Sequence, residues 1–142
     1  MMLENQVALV TGAGKGIGKA IALALASNGA AVIVNYNGSK ERAKETVNQI
    51  QENGGKAEAI GCNVADFNSC KEMLEDVISR YGRLDILVNN AGITKDNLLM
   101  KMSEEDFDAV IDINLKGAFN CMKHVARQMI KQKSGRIINI SS

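Results

Sequence analysis

The stretch Val7-Ala8-Leu9-Val10-Thr11-Gly12-Ala13-Gly14-Lys15-Gly16-Ile17-Gly18 joins a short apolar run to an amphipathic stretch through a glycine-rich turn. The apolar run predicts a strand. The residues after the turn predict a helix, because apolar side chains recur at three- and four-residue spacing and share one face. That predicted face carries Ile17, Ala20, Ile21, Ala24 and Leu25.

The glycines of this turn predict a dinucleotide site. Gly12 permits a tight turn after the strand, whereas Gly16 and Gly18 let the backbone approach a pyrophosphate and the helix pack on the sheet. The helix N-terminus then presents free N–H groups and a partial positive charge to the phosphates. The alternative, an ordinary glycine-rich turn, is disfavoured by the motifs that follow. The residues predicted to contact the cofactor here are Gly12, Ala13, Gly14, Lys15, Gly16, Ile17 and Gly18.

The chain has 142 residues, a net charge of +1, 46% hydrophobic residues and 23% charged residues, which are ordinary values for one soluble globular domain. Its charge gives no electrostatic reason to expect a nucleic acid or an anionic membrane as partner. No apolar run reaches the ~18 residues that a membrane span needs, and the first residues do not resemble a signal peptide. The three cysteines lack metal-site spacing, so we expect no metal and reduced thiols in a cytoplasmic protein.

Strand and helix signals alternate along the chain, which predicts right-handed crossovers and an α/β fold with a doubly wound parallel sheet. Ser39 is a plausible helix N-cap, and Ser103–Asp106 resembles a capping box. The helical pattern after this box extends to Lys131, and we expect a break in it near residues 114–117. The predicted strands are Val7–Val10, Ala31–Val34, Ala57–Cys62, Ile86–Val88 and Arg136–Ile140.

The sequence ends with Ser141-Ser142 at the carboxyl end of the fifth predicted strand, where open α/β sheets place their ligands. No helix follows to cover the last crossover, so we expect residues 1–142 to form a single, incomplete domain of a longer protein. Isoleucines occupy both faces of the strand Arg136–Ile140, so we also expect an uncovered apolar edge there.

Four motifs occur in the order found in short-chain dehydrogenases/reductases, and the whole chain resembles this family. The motifs are Thr11-Gly-x-x-x-Gly16-x-Gly18, Asn89-Asn90-Ala91-Gly92, Asn114 within a long helix, and Gly135-Arg136-Ile137-Ile138-Asn139-Ile140-Ser141-Ser142. Their combination is far more specific than the glycine motif alone. The resemblance covers the first half to three-fifths of such an enzyme and implies a Rossmann-like NAD(P)-binding domain, truncated after the fifth strand.

The resemblance implies cofactor contacts beyond the glycine loop. Asn63 and Val64 follow the third strand, where the family lines the adenine. Asn90, Ala91 and Gly92 follow the fourth strand, where small residues leave room for ribose and nicotinamide and asparagine amides tie neighbouring loops together. On their own, both segments also fit ordinary turns.

The end of the second strand bears on the choice between NAD and NADP. An acidic residue there accepts hydrogen bonds from the ribose 2′-hydroxyl and repels a 2′-phosphate. Tyr36 holds this position, between Asn35 and Asn37, and we include Asn37 among the cofactor contacts. The nearby basic residues are Lys15, Lys40 and Arg42. The missing acid and the added bases favour NADP(H); the alternative is that these bases are merely a solvated helix start.

The resemblance implies catalytic roles for Ser142 and Asn114. The family's serine hydrogen-bonds the substrate carbonyl oxygen; spacing alone does not separate Ser142 from Ser141, and the family pattern favours Ser142. The family's asparagine disturbs its helix and helps to hold a water in a proton relay, whereas without the family Asn114 reads as a solvated face residue. The family's general acid, a Tyr followed four residues later by a Lys, comes after the serine. Tyr36 and Lys40 have that spacing but precede the serine, so we reject this pair.

The stretch Gly92–Met102 is similar to that of bacterial 3-oxoacyl-[acyl-carrier-protein] reductases of fatty-acid synthesis. The resemblance implies NADPH-dependent reduction of an acyl carrier protein-linked substrate by the full-length enzyme, as a homodimer or homotetramer. The alternatives are another short-chain alcohol or sugar dehydrogenase, or an inert nucleotide-binding fragment. Without the tyrosine–lysine pair, we expect the 142-residue chain alone to be inactive.

Overall fold

A computed structural model describes residues 1–141, in which strands and helices alternate. The strands are β1 (Val7–Val10), β2 (Ala31–Tyr36), β3 (Lys56–Gly61), β4 (Ile86–Asn89) and β5 (Arg136–Asn139). The α-helices are α1 (Gly16–Ser27), α2 (Lys40–Glu52), α3 (Phe67–Tyr81), α4 (Glu104–Ile111) and α5 (Gly117–Gln132). A 3₁₀ turn at Leu99–Lys101 precedes α4, and a π-helical turn at Asp112–Lys116 joins α4 to α5.

The strands form one parallel sheet in the order β3-β2-β1-β4-β5, which confirms the predicted doubly wound architecture. The chain first moves outward from β1 to β3 and then returns to pair β4 with the other side of β1. The strand order therefore reverses between β1 and β4. Open α/β sheets bind their ligands in the crevice at such a reversal, outside the carboxyl ends of the strands.

Alternate residues of the central strands enter two separate apolar layers, because successive side chains of a strand point to opposite faces. On one face, Ala8 and Val10 of β1 pack with α1 and α2. On the other face, Leu9, Ile33 and Leu87 pack with α3 and α5. These three large side chains are fully buried, and burial of each stabilises the fold by roughly 1.5–3 kcal/mol.

The predicted helix starts are confirmed by their capping hydrogen bonds. The Ser39 hydroxyl accepts a hydrogen bond from the Arg42 N–H at 3.2 Å, and the Ser103 hydroxyl accepts one from the Asp106 N–H at 3.0 Å. The predicted break near residues 114–117 is confirmed as the π-helical turn. Among the described residues, the structure contains no helix of sufficient length and apolarity to cross a lipid bilayer.

The predicted apolar face of α1 is confirmed only in part, because Ile21 and Leu25 pack against the core. Ala20 and Ala24 are exposed, and Ile17 is 63% exposed. The residues of α1 that are buried are Gly18, Ala22 and Ala26. A Cβ atom on Gly18 would lie 2.4 Å from the Gly12 carbonyl oxygen, so the helix lies too close to the glycine turn for a larger residue. Close packing at Gly18 therefore helps to select the face of α1 that meets the sheet.

The edge strand β5 presents apolar surface, as its sequence predicts. Ile137, Ile138 and Ile140 are 39%, 47% and 40% exposed in the described part of the chain. Successive residues point to opposite faces of a sheet, so this exposed surface lies on both faces of the edge.

The buried carboxylate of Asp85 joins the beginnings of β1 and β4. Its Oδ2 accepts a hydrogen bond from the Val7 N–H at 2.9 Å, and Arg83 donates to both carboxylate oxygens at 2.8 and 2.7 Å. The Asp85 backbone N–H also donates to the Val7 carbonyl oxygen at 2.9 Å. These bonds set the register of two strands that are far apart in sequence.

Asp85→Ala is expected to lower the free energy of unfolding by about 1–3 kcal/mol, because the buried Val7 N–H loses its acceptor. Asp85→Asn is the matched control, because its amide oxygen can still accept the hydrogen bond from the Val7 N–H. We expect its loss of stability to be smaller than that of Asp85→Ala. Urea denaturation of both variants measures the difference. Equal losses in the two variants would contradict a structural role for the Val7–Asp85 bond.

Candidate functional site

A cleft of about 600 Å³ lies at the carboxyl ends of the central strands, where the strand order reverses. Its walls are the glycine-rich turn and the segments that follow β2, β3 and β4. The predicted cofactor contacts that line it are Gly12, Gly14, Lys15, Gly16, Ile17, Asn37, Asn63, Val64, Asn90, Ala91 and Gly92. The fold thus brings four separate sequence segments to one site.

Ala13 and Gly18, also predicted as cofactor contacts, do not line this cleft. Ala13 is fully buried, and its N–H donates to the Asn35 carbonyl oxygen at 3.0 Å. A Cβ atom on Gly18 would lie 2.4 Å from Nδ2 of Asn90. Both residues therefore support the cleft from beneath, because only a small side chain or none fits between α1 and the sheet.

Thr11 and Asn90 connect the loops that follow β1 and β4. The Thr11 hydroxyl accepts hydrogen bonds from the N–H groups of Asn90 and Ala91, at 3.0 and 2.9 Å. The Asn90 side-chain amide donates to the carbonyl oxygens of Thr11 and Gly12, at 3.2 and 3.1 Å. This reciprocal set, which we call the Thr11–Asn90 latch, confirms that an asparagine amide ties neighbouring loops together. The sequence alone did not indicate that Thr11 would connect these two loops.

Asn35 holds the glycine turn from the other side, and the sequence analysis missed this role. Its side chain is 2% exposed, and its Oδ1 accepts a hydrogen bond from the Gly12 N–H at 3.3 Å. Its Nδ2 donates to the carbonyl oxygens of Ile60 and Cys62, at 3.3 and 3.2 Å. One amide therefore connects the segments after β1 and β3. A buried asparagine at the end of an otherwise apolar strand is the sequence signal that could have indicated it.

The glycine turn has backbone angles that favour glycine. Gly12 and Gly16 have φ values of +61° and +58°, in the left-handed region. A Cβ atom on Gly12 would also lie 2.9 Å from Cα of Ala91. Lys15, the N-cap of α1, makes no side-chain capping bond, so the first turn of α1 keeps backbone N–H donors for a ligand.

The end of β2 contributes the aromatic side chain of Tyr36, and not an acidic one, to the cleft. Lys15 and Arg42 both line the cleft, whereas Lys40 does not. No acidic residue occurs among the described residues that line the cleft. The ring of Tyr36 lies over Gly61, where a Cβ atom would be 3.0 Å from Cζ of the ring. Two cations beside an aromatic side chain, with no carboxylate, suit an anionic ligand.

Asn114 lies at a second cavity of about 390 Å³, next to the cleft. Its Oδ1 accepts a hydrogen bond from the Ile93 N–H at 2.8 Å, and its Nδ2 donates to the Ile93 carbonyl oxygen at 3.0 Å. Asn114 is at the centre of the π-helical turn, so the predicted helix disturbance is present. Asn120, which the sequence analysis missed, is fully buried and donates to the Val64 carbonyl oxygen at 2.8 Å.

The remaining predicted catalytic residue, Ser142, lies outside the described residues. Its neighbour Ser141 lines the same second cavity as Asn114. The proton-relay role of Asn114 and the carbonyl-binding role of Ser142 stay predictions. Within residues 1–141, no group of three or more His, Cys, Asp and Glu side chains is arranged to hold a metal ion.

Sequence comparison matches residues 6–142 to the family described as short chain dehydrogenase. The 3-oxoacyl-[acyl-carrier-protein] reductase FabG of Staphylococcus aureus (strain N315) is 56% identical over 141 residues. The protein of the same name from Thermotoga maritima is 50% identical over 142 residues. These alignments cover 99% and 100% of this chain and 57% of each relative, so the chain spans little more than half the length of these relatives.

Solved structures share the fold over the whole chain. A metagenomic short-chain oxidoreductase in complex with NADP superposes with a TM-score of 0.96 at 38% identity, and the match covers 64% of that chain. A short chain dehydrogenase from Burkholderia cenocepacia J2315 in complex with NADP gives a TM-score of 0.92 at 36% identity, covering 57% of that chain. Both matches cover 100% of the present chain.

Thr11→Val is expected to lower the free energy of unfolding by about 2–4 kcal/mol, because two backbone N–H groups lose their acceptor while side-chain volume is kept. Thr11→Ser is the matched control, since it keeps the hydroxyl and removes only a methyl group. Thermal and urea denaturation measure both variants. A serine variant as unstable as the valine variant would show that packing of the methyl group, and not the latch, stabilises the site.

Proposed function

Because the chain belongs to the short-chain dehydrogenase family, we propose that the full-length protein is an NADPH-dependent reductase of 3-oxoacyl thioesters carried by an acyl carrier protein. The chain spans about 57% of the relatives that bear this activity in their names, so the proposal concerns the whole protein. We further propose that it acts in the cytoplasm as a homo-oligomer. The described residues, 1–141, form the cleft that we propose to bind the cofactor.

The observation that carries the proposal is that Lys15 and Arg42 line the same cleft as Tyr36, with no carboxylate among the described lining residues. A guanidinium and an ammonium group bind a phosphate by charge-assisted hydrogen bonds. NADP carries a 2′-phosphate that NAD lacks, and an acidic residue at the end of β2 would repel it. Two related structures are NADP complexes, which supports the same choice.

The rest of the cleft fits a dinucleotide. The amide groups at the start of α1 would hold the pyrophosphate, and the turn at Asn63 and Val64 would line the adenine. Ala91 and Gly92 are small residues beside the second cavity, and would leave room for the nicotinamide ribose. When bound, the cofactor supplies a hydride to the substrate carbonyl carbon.

The residues near the second cavity are proposed to serve the carbonyl group. Ser142 would donate a hydrogen bond to the carbonyl oxygen and stabilise the negative charge that develops there. Asn114 makes two hydrogen bonds to the backbone of Ile93, which lines the cleft, and we propose that the turn around Asn114 holds a water of the proton relay. A tyrosine and a lysine from the portion of the family's sequence that follows the serine would protonate the oxygen.

Lys15→Ala and Arg42→Ala are each expected to weaken NADPH binding by roughly 10–100-fold, because a hydrogen bond to a charged group is worth about 1.5–3 kcal/mol. NADH binding should change less than threefold, since NADH has no 2′-phosphate. Fluorescence titration or calorimetry with both cofactors measures the ratio.

Lys40→Ala is the control for these variants. This substitution also removes one positive charge, but from a residue that does not line the cleft. We expect little change in its affinity for either cofactor. A loss of NADPH and NADH affinity by the same factor in Lys15→Ala or Arg42→Ala would exclude a specific contact with the 2′-phosphate.

The full-length protein is expected to oxidise NADPH when a 3-oxoacyl thioester is added, and Ser142→Ala should lower kcat about 10²–10³-fold, because one donor to the developing oxyanion is lost. Ser141→Ala is the control and should retain most of the activity. Loss of NADPH absorbance measures the rate, and cofactor titration tests whether binding survives. Turnover of simple alcohols or sugars in place of the thioester would identify a different dehydrogenase of the same family.

A further inference from the structure

Cys70 and Cys121 form a pair of thiols that the proposed reaction does not use. Cys70 belongs to the first turns of α3, and Cys121 belongs to the first turns of α5. The two sulfur atoms are 3.4 Å apart, although the residues are 51 positions apart in sequence. Both are fully buried in the apolar layer that α3 and α5 form against the sheet.

The pair is close to the geometry of a disulfide. An S–S bond is about 2.05 Å long, so the two sulfur atoms need to approach by roughly 1.3 Å. The two thiols are hydrogen-bonded to each other, and neither cysteine is in a disulfide in this structure. Two buried thiols on facing helices therefore require only a local adjustment, and not a change of fold, to become linked.

The chemical setting distinguishes this pair from the third cysteine. The hydrogen bond from Cys121 holds the pKa of Cys70 below its ordinary value, and the same contact raises the pKa of Cys121. The contact makes Cys70 the more acidic of the two thiols, and both thiols are fully buried. Burial raises the pKa of Cys62 to about 11, so Cys62, which lines the cleft, stays a protonated and poorly nucleophilic thiol.

Both thiols are fully buried, so an oxidant reaches them only when the protein opens locally. Cys70 is the fourth residue of α3, and the helix begins at the surface with Phe67, which is 38% exposed. Opening of this first turn is a local event that costs less than global unfolding. It would expose Cys70 to a molecule about the size of water while Cys121 remains beside it.

We propose that Cys70 and Cys121 are a redox-active dithiol, which a peroxide converts to an intramolecular disulfide between α3 and α5. In the first step the Cys70 thiolate attacks one peroxide oxygen, the O–O bond breaks, and Cys70 becomes a sulfenic acid as hydroxide leaves. In the second step the Cys121 sulfur attacks the Cys70 sulfur and releases water. The two sulfur atoms lose two electrons in total, and hydrogen peroxide takes them up to form two molecules of water.

The test treats the folded full-length protein with hydrogen peroxide, quenches the reaction, and alkylates the remaining thiols in denaturant. Combined cleavage after Lys and Arg and before Asp yields the peptides Asp66–Lys71 and Gly117–Lys123, which separate Cys70 from Cys62. We expect these two peptides to be found cross-linked, with a mass about 2 Da below the sum of the reduced pair, the mass of two hydrogen atoms. A thiol reductant should restore both peptides.

Two variants keep the test independent of any single substitution. Cys62→Ala should leave the cross-link in place, whereas Cys121→Ala should abolish it and leave Cys70 as a sulfenic acid that dimedone labels. Circular dichroism before quenching establishes that the treated protein is folded. Three results would overturn the proposal. The first is recovery of Cys70 and Cys121 as free thiols after Cys62 is oxidised. The others are a cross-link that involves Cys62 and a Cys70–Cys121 cross-link that forms only after unfolding.

Discussion

The Thr11–Asn90 latch is the constraint on which the cleft depends. Strands β1 and β4 are parallel neighbours, but the chain continues from β1 to β2 on one side and from β4 to β5 on the other. The Thr11 hydroxyl accepts hydrogen bonds from two N–H groups of the loop after β4. The Asn90 side-chain amide donates two hydrogen bonds to carbonyl oxygens at the start of the glycine turn. Because these groups satisfy one another, they are not free to bind a ligand, and the floor of the cleft is fixed before a ligand arrives.

Close backbone contacts occur at the latch and elsewhere in the site, and they explain the small residues found there. Gly12 lies against Ala91, Gly18 lies against Asn90, and Gly117 lies against Val64, where a Cβ atom would be 2.7 Å from Cγ2. Each contact joins two segments that are remote in sequence. Close packing leaves no room for an added methyl group at such places, so the side chains that line the cleft stand on a rigid base.

Asparagine side chains perform the same task at several points of the site. Asn35 connects the glycine turn to the end of β3, Asn114 holds Ile93, and Asn120 holds Val64. An amide both donates and accepts, so one side chain can satisfy backbone groups of another loop without placing a charge in the interior. The charged groups of the cleft, Lys15 and Arg42, are exposed at its surface, where we propose that they bind the cofactor's 2′-phosphate.

The sequence by itself determined the alternation of strands and helices, the two predicted N-caps and the segments that form the cleft, because periodicity, capping residues and glycines at turns act over a few residues. It also indicated the break around Asn114, since an asparagine is costly inside a helix. Only the tertiary structure decided that Gly18 and its small neighbours, and not Ile17, face the sheet. It alone placed Arg42 and not Lys40 at the cleft, and brought Cys70 to Cys121. These outcomes depend on distances between segments far apart in the chain, and no local pattern encodes such distances.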